Sequence, residues 1–91
     1  MKELRYTRQF KKDLKRFLGQ PKKLAELQVV LDMLRQDIPL PEKYRQHQLK
    51  GEYTDCMECH IEGDFLLIWY DEASNTLALF RLGSHSELFK D

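Results

Sequence analysis

Apolar positions near the start of the chain change from a period of two to a helical period. Leu4 and Tyr6 alternate with charged residues, a pattern typical of a half-buried strand. Thr7 can cap a helix, and the apolar residues after it recur at helical spacing: Phe10, Leu14, Phe17 and Leu18. The pattern predicts a strand over residues 1–6, followed by an amphipathic helix that ends at Gly19.

A second helix is predicted to begin at Pro21, because proline suits the first turn of a helix. Its apolar stripe has spacings of three and four residues and comprises Leu24, Leu27, Leu31, Leu34 and Ile38. Pro39 and Pro41 end this pattern. We expect the two helices to form a hairpin that packs on a sheet.

Three strands are predicted in the second half of the chain, after a loop. Residues 39–51 show no periodicity and contain two prolines and a glycine, which favours the loop. Runs rich in aromatic and branched residues predict strands at 56–61, 65–70 and 76–82, joined by two hairpin turns at Gly63-Asp64 and Ala73-Ser74-Asn75. The order β-α-α-β-β-β predicts a single α+β domain over residues 1–91, with the helical hairpin on one face of a mainly antiparallel four-stranded sheet.

The composition is that of a soluble globular protein, with 42% hydrophobic and 33% charged residues over 91 positions. No apolar run reaches the length of about 18 residues that spans a bilayer. The opening residues lack the apolar core of a signal peptide, which predicts a cytoplasmic protein that does not engage a membrane. In that reducing compartment we expect no structural disulfide between Cys56 and Cys59.

The net charge of zero conceals an uneven distribution. Residues 1–25 contain nine Lys or Arg and two acids, a net charge of +7, so the remainder carries −7. A basic front half is typical of a nucleic-acid-binding face. The alternative is that these side chains only form the solvated outer faces of two helices. Charge alone does not separate the two interpretations.

Cys56, Cys59 and His60 resemble a run of metal ligands, but their spacing argues against one. Successive side chains of a strand alternate between its faces, so the two thiols would point to opposite sides. We therefore expect neither a metal site nor a cofactor, and we interpret Cys59 as a small core residue beside Met57 and Ile61. Nothing in the sequence marks either thiol as an activated nucleophile.

Four polar residues are predicted to meet at one end of the sheet: His60, Asp64, Arg81 and His85. Histidine exchanges protons near neutral pH, whereas arginine keeps its charge and binds phosphate. RNA cleavage needs a base for the 2′-hydroxyl, a cation for the phosphorane and an acid for the leaving oxygen. This group could supply all three. A loop histidine such as His47 is, taken alone, more often a solvated side chain.

Three segments together carry a resemblance to a known family. They are residues 47–51 (HQLKG), 58–68 (ECHIEGDFLLI) and 81–89 (RLGSHSELF). In this order they resemble the YafQ branch of the RelE/ParE toxin superfamily, and the predicted order of strands and helices fits along almost the whole chain. The resemblance implies a bacterial toxin of a type II toxin–antitoxin system that cleaves mRNA on the ribosome.

The resemblance also implies roles for individual residues. His85 is expected as the general acid, His60 or Asp64 as the base, and Arg81 as the cation that holds the phosphorane. His47 is expected to contact substrate or transfer a proton, and Phe89 to stack on a base. A basic set is expected to contact ribosomal RNA: Lys11, Lys12, Lys15, Arg16, Lys22 and Lys23.

The partners implied are a cognate antitoxin and, through the antitoxin, operon DNA. Two alternatives stay open: a ParE-like toxin that inhibits gyrase without nuclease activity, and a catalytically weak module that binds RNA or antitoxin. The chain departs from the resemblance at Met57, where relatives often have arginine, and at Gly63, where proline is common. Met57 either weakens substrate binding or packs in the core.

Overall fold

The computed structural model describes residues 1–89, which form five strands and three helices. In chain order these are β1 (Glu3–Tyr6), α1 (Arg8–Lys15), α2 (Pro21–Arg35), β2 (His47–Gln48), β3 (Met57–Glu62), β4 (Phe65–Glu72), β5 (Thr76–Gly83) and α3 (His85–Leu88). Single turns of 3-10 helix occur at Glu42–Tyr44 and Gly51–Tyr53. None of the helices in residues 1–89 has the length and hydrophobicity that a membrane span requires.

The strands form one sheet in the order β1-β5-β4-β3-β2. β1 pairs with β5 in parallel and the other neighbours are antiparallel. The α+β class, the three strands of the second half and both hairpins are thus confirmed. The four-stranded sheet was wrong by one strand, because β2 lies inside the segment predicted as a loop. Two residues are too few to show an alternating pattern.

The first helix begins as predicted but ends earlier. The Oγ1 of Thr7 accepts a hydrogen bond from Phe10 N–H at 3.1 Å, which confirms the cap. α1 ends at Lys15, four residues before the predicted end at Gly19. Leu18 therefore lies beyond the helix and is 64% exposed, so its place on the apolar stripe was wrong.

The second helix begins at Pro21, as predicted, and ends before the prolines that were expected to stop it. Asp37 adopts a left-handed conformation with φ of +57°, and Ile38 N–H reaches back to Met33 C=O at 2.9 Å. This Schellman-type ending closes the helix at Arg35. Ile38 is consequently outside the helix and 43% exposed, which corrects its assignment to the apolar stripe.

Apolar side chains cover both faces of the sheet. On one face, the helices bury a large core that includes Phe10, Leu31, Cys59 and Trp69. Met57 packs against this core, which agrees with the second of the two sequence-based interpretations of this residue. On the other face, a smaller cluster joins buried residues of the strands to the segment before β3 and to α3: Cys56, Leu66, Ile68 and Leu88. Cys56 and Cys59 thus lie on opposite faces, as predicted, and both are free thiols.

The edge of β5 beyond β1 is covered by α1. β1 pairs with β5 only as far as Leu79. From there Thr7 Oγ1 donates to Leu79 C=O at 2.8 Å, and Leu82 N–H donates to the Asp13 carboxylate at 2.9 Å. Buried backbone groups that lack a strand partner need another hydrogen bond. Where β1 ends, Thr7 and the α1 residue Asp13 supply these hydrogen bonds to β5.

Candidate active site

Four residues on neighbouring strands form a row on the sheet face that points away from α2. His47 pairs with Glu58, Glu58 with Ile68, and Ile68 with Arg81. Directly opposed residues share a face of a sheet, and strands lie about 4.8 Å apart, so the row is roughly 14 Å long. His60 lies two residues after Glu58 and therefore faces the same side.

The β3 end of this row contains a buried carboxylate between two histidines. Glu58 is 3% exposed, and its Oε1 lies 3.1 Å from Nε2 of His47 and 3.9 Å from Nε2 of His60. Its Oε2 has no hydrogen-bond partner among the described residues. One carboxylate oxygen thus lies within ion-pair distance of both rings.

The two histidines differ in how their ring nitrogens are used. His47 Nδ1 lies 2.8 Å from Arg45 C=O, and its Nε2 contacts Glu58, so both nitrogens are engaged. The His60 ring makes no hydrogen bond within residues 1–89, and its side chain is half-buried. His60 is therefore the better placed of the two to exchange a proton with a bound molecule.

The β5 end of the row contains Arg81, which a β-bulge directs towards α1. The register between β4 and β5 shifts next to Ile68 and leaves Phe80 as the extra residue. Arg81 donates from Nε to Asp13 at 2.8 Å and from Nη2 at 3.3 Å, while Nη1 lies 3.4 Å from the hydroxyl of Tyr53. The carboxylate of Asp13 raises the pKa of Arg81 further above its already high value.

Asp13 is fully buried beneath this arginine. Burial alone would raise the pKa of its carboxyl group, but hydrogen bonds from Arg81, Leu82 N–H and Gln9 outweigh that effect and lower the pKa. Asp13 is thus a carboxylate in the folded protein, and it fixes the orientation of the guanidinium.

Helix α3 begins with His85, and Phe89 directly follows the helix. Ser84 and Glu87 form a reciprocal capping box that starts the helix, and Asp64 Oδ1 accepts a hydrogen bond from His85 N–H at 2.8 Å. The rings of His85 and Phe89 lie 4.9 Å apart, and the ring of Tyr53 stands edge-on to Phe89 at 5.8 Å. Asp64, in the β3–β4 turn, thereby connects α3 to the end of the sheet that contains His60.

A cleft of about 600 Å³ opens between Arg81, α3 and the 3-10 turn that contains Tyr53. Its other polar lining residues are Gln9, Lys50, Glu52 and Glu87, and Phe89 contributes an aromatic wall. Another cleft, of about 560 Å³, lies on the helix side near Trp69, and neither a histidine nor Arg81 lines it. Arg81 and Phe89 line the first cleft, whereas the three histidines do not, and His60 lines a separate pocket of about 200 Å³. We take the first cleft as the candidate substrate site because it shares Arg81 with the row that contains the histidines.

The six residues singled out from the sequence are distributed around this face. His47, His60 and Arg81 lie on the strands, Asp64 lies in the turn, and His85 and Phe89 belong to the α3 segment. Three further residues were not singled out: Glu58, Asp13 and Tyr53. The sequence places Glu58 on the same strand face as His60, two residues away, but its contact with both histidines was not predicted. Asp13 is one acid among basic residues, and Tyr53 lies in a segment without periodicity, so nothing in the sequence identifies either as a site residue.

The residues expected to contact ribosomal RNA lie on α1, α2 and the segment between them. Lys11, Lys12, Lys15 and Lys22 are exposed. Arg16 is 3.5 Å from Glu87, and Lys23 is 3.6 Å from Glu62, so these two are partly neutralised by acids.

No group of three or more His, Cys, Asp or Glu side chains among residues 1–89 is arranged to hold a metal ion. The two thiols are buried on opposite faces of the sheet, and burial raises the pKa of Cys59 to about 12. Neither thiol therefore supplies a ligand or a nucleophile to the cleft.

Comparisons with known proteins agree on one family. Residues 2–90 match the family described as the bacterial toxin of type II toxin–antitoxin system, YafQ. The mRNA interferase toxin YafQ of Escherichia coli strain K12 is 30% identical over 89 residues, which cover 97% of this chain and 96% of that protein.

Two solved structures are similar along nearly the full chain. A metal-bound toxin from Helicobacter pylori is 42% identical, with a TM-score of 0.89 and coverage of 98% of this chain and 100% of that one. A YafQ chain in the E. coli DinJ–YafQ complex is 29% identical, with a TM-score of 0.83 and coverage of 98% and 99%.

Proposed function

Since the chain belongs to the YafQ family of toxins from type II toxin–antitoxin systems, we propose that it is an endoribonuclease that cleaves mRNA on the ribosome. The observation that carries the proposal is the row from His47 to Arg81, with α3 beside it. It brings proton-transfer groups and a fixed cation to one face of the sheet, where Arg81 and Phe89 also line a cleft. Two curated relatives from E. coli are named mRNA interferase toxins, which favours this function over the gyrase-inhibiting alternative.

The reaction is a transesterification within the RNA. The 2′-oxygen loses its proton and bonds to the adjacent phosphorus, and the bond from phosphorus to the 5′-oxygen breaks. The products are a 2′,3′-cyclic phosphate and a 5′-hydroxyl end. A base must take the first proton, and an acid must protonate the leaving oxygen.

We assign the base to His60 and the acid to His85. The uncommitted ring of His60 lies beside the Glu58 carboxylate, which stabilises the imidazolium that forms when the ring accepts the 2′-proton. Asp64 is the alternative base, but one of its oxygens already accepts a bond from the His85 backbone. Its proposed role is to hold α3, and hence the acid, in place.

Arg81 and Phe89 are assigned to substrate binding. The outward part of the Arg81 guanidinium faces the cleft and would neutralise charge on the phosphorane. Phe89 forms an aromatic corner with Tyr53, on which a base of the substrate can stack. His47 holds Glu58 beside His60, since both of its nitrogens are engaged.

Cleavage of mRNA by purified protein in the presence of ribosomes tests these roles. His85→Ala should lower the rate by about 10² to 10⁴, the usual contribution of one positioned proton transfer. Ser86→Ala, at an exposed neighbour on α3, is the matched control. Cleavage by His85→Ala at the wild-type rate would refute the acid assignment, and gyrase inhibition without RNA cleavage would favour the alternative function.

The exposed lysines of α1 are proposed to contact ribosomal RNA. Reversing the charge of Lys11 and Lys12 should weaken ribosome binding and reduce the slope of log affinity against log salt by about two. Lys43→Glu, in the 3-10 turn before β2, is the control. An unchanged salt slope in the double variant would show that these side chains are only solvated.

The expected protein partner is an antitoxin. A related YafQ forms a complex with DinJ in E. coli. By analogy, a cognate antitoxin would neutralise this chain, and contact with operon DNA would come through the antitoxin. Co-purification of the chain with the product of a neighbouring gene, together with loss of mRNA cleavage in the complex, tests this expectation.

A further inference from the structure

Asp13 receives an unusual number of hydrogen bonds for one side chain. Its Oδ2 accepts from Arg81 Nε at 2.8 Å and from Leu82 N–H at 2.9 Å. Its Oδ1 accepts from Gln9 at 3.1 Å, from Arg81 Nη2 at 3.3 Å and from Arg16 at 3.4 Å. Asp13 is 1% exposed, so its carboxylate is shielded from solvent at all five contacts.

Closing the edge of β5 does not require this arrangement. One neutral acceptor would satisfy Leu82 N–H, whereas a buried carboxylate is costly unless its charge is paired. Here the charge is paired along one edge of the Arg81 guanidinium, through Nε and Nη2. The other nitrogen, Nη1, is left beside the Tyr53 hydroxyl at the cleft.

An arginine side chain loses much rotamer freedom when it binds a phosphate. Two hydrogen bonds to a buried carboxylate remove that freedom before substrate arrives, and preorganised charge is the form that stabilises a transition state. We infer that Asp13 is a positioning residue of the reaction, which holds one edge of Arg81 so that Nη1 meets the phosphate. The inference rests on the proposed nuclease function.

A double-mutant cycle tests the inference. Asp13→Asn keeps the shape of the side chain and removes its charge, and it should lower kcat for mRNA cleavage by about 10²-fold, the cost of a misplaced catalytic group. KM should change much less, because the contact strengthens in the transition state. In the Arg81→Ala background, Asp13→Asn should cause no further loss, since Asp13 acts through Arg81.

The matched control is Asp32→Asn. Asp32 is an exposed helical residue that accepts a bond from Gln28, four positions earlier, as Asp13 does from Gln9. The Asp32→Asn variant should cleave mRNA at the wild-type rate. If Asp13→Asn lowered kcat equally in both backgrounds, or left it unchanged, the inference would be overturned. If Arg81→Ala itself cleaved normally, the proposed role of the arginine would fail instead.

A measurement on the wild-type protein covers the case in which Asp13→Asn does not fold. The Nε–H of Arg81 should give an NMR signal that exchanges slowly with water, because it is bonded to a buried carboxylate. The Nε–H of Arg8, at an exposed position, is the internal comparison. Exchange of the Arg81 signal as fast as that of Arg8 would overturn the inference.

Discussion

Replacing Gly83 with alanine should loosen the docking of α3 and thereby lower RNA cleavage. Gly83 has φ of +157°, and a Cβ added to it would lie 2.8 Å from Glu87 Oε1 and 3.2 Å from Arg16 Nη2. The Glu87 side chain can swing away, but it would then lose the hydrogen bond that it accepts from Ser84 N–H at 2.8 Å. The substitution therefore strains the start of α3 more than the sheet.

The expected penalty is comparable with the free energy that docks the helix. Loss of a helix cap costs about 1 kcal/mol, and a strained backbone conformation costs of order 1–3 kcal/mol. Burial of a leucine contributes about 1.5–3 kcal/mol, and Leu88 is the buried residue of α3. We therefore expect α3 to detach in a large fraction of molecules while the sheet stays folded.

Three measurements test the effect of Gly83→Ala. Amide hydrogen exchange should accelerate at residues 87–89, thermal unfolding of the sheet should shift little, and cleavage should fall by about 10²-fold because His85 and Phe89 are displaced. Gly19→Ala is the control, since a Cβ at Gly19 meets nothing within 4 Å. Full cleavage and wild-type protection in Gly83→Ala would refute the reasoning, as would lost cleavage with α3 still protected.

Three further outcomes are expected. Glu58→Gln should lower cleavage by at least about 10²-fold without lowering the melting temperature, and an unchanged rate would exclude a role for its charge. The pKa values of Asp13 and Glu87 are lowered in the folded state, so both stabilise it above their unfolded pKa values, and this contribution disappears as the pH falls through the folded values. Urea unfolding from neutral to acid pH should show that loss, and Asp13→Asn should make the decline shallower. Burial raises the pKa of Cys59 to about 12 and also raises that of Cys56, so alkylation at pH 8 should be slow until the protein is denatured; rapid labelling of the native protein would contradict this.

Local sequence patterns predicted the helices and strands that are determined by residues close together in the sequence. Thr7 and Pro21 mark helix starts through their own side chains, and the strands after residue 56 reveal themselves by composition and by the turns between them. The opposite faces of Cys56 and Cys59 also follow from alternation alone. The histidines and Arg81 were identifiable as chemistry-bearing residue types before their positions were known.

The features that escaped prediction depend on residues far apart in the sequence. β2 exists because His47 and Gln48 meet β3, and two residues carry no period of their own. Asp13 looks like an ordinary helix residue until Arg81 approaches it from β5. Tyr53 becomes part of the cleft only because α3 brings Phe89 against it. In each case a partner in another element defines the role of the residue.

The pairing of Asp13 with Arg81 also bears on when the chain can become active as it folds. The two residues are 68 positions apart, and the parallel pairing of β1 with β5 closes a similarly long loop. Contacts of such high sequence separation carry a large loop-closure entropy and tend to form after the local hairpins. In a chain with only β3, β4 and β5 paired, the Arg81 guanidinium would still be mobile, and the edge of β5 would lack its contacts with β1 and α1. We therefore expect catalytic competence to arise only at the last stage of folding, so that RNA cleavage appears after the hairpins have formed.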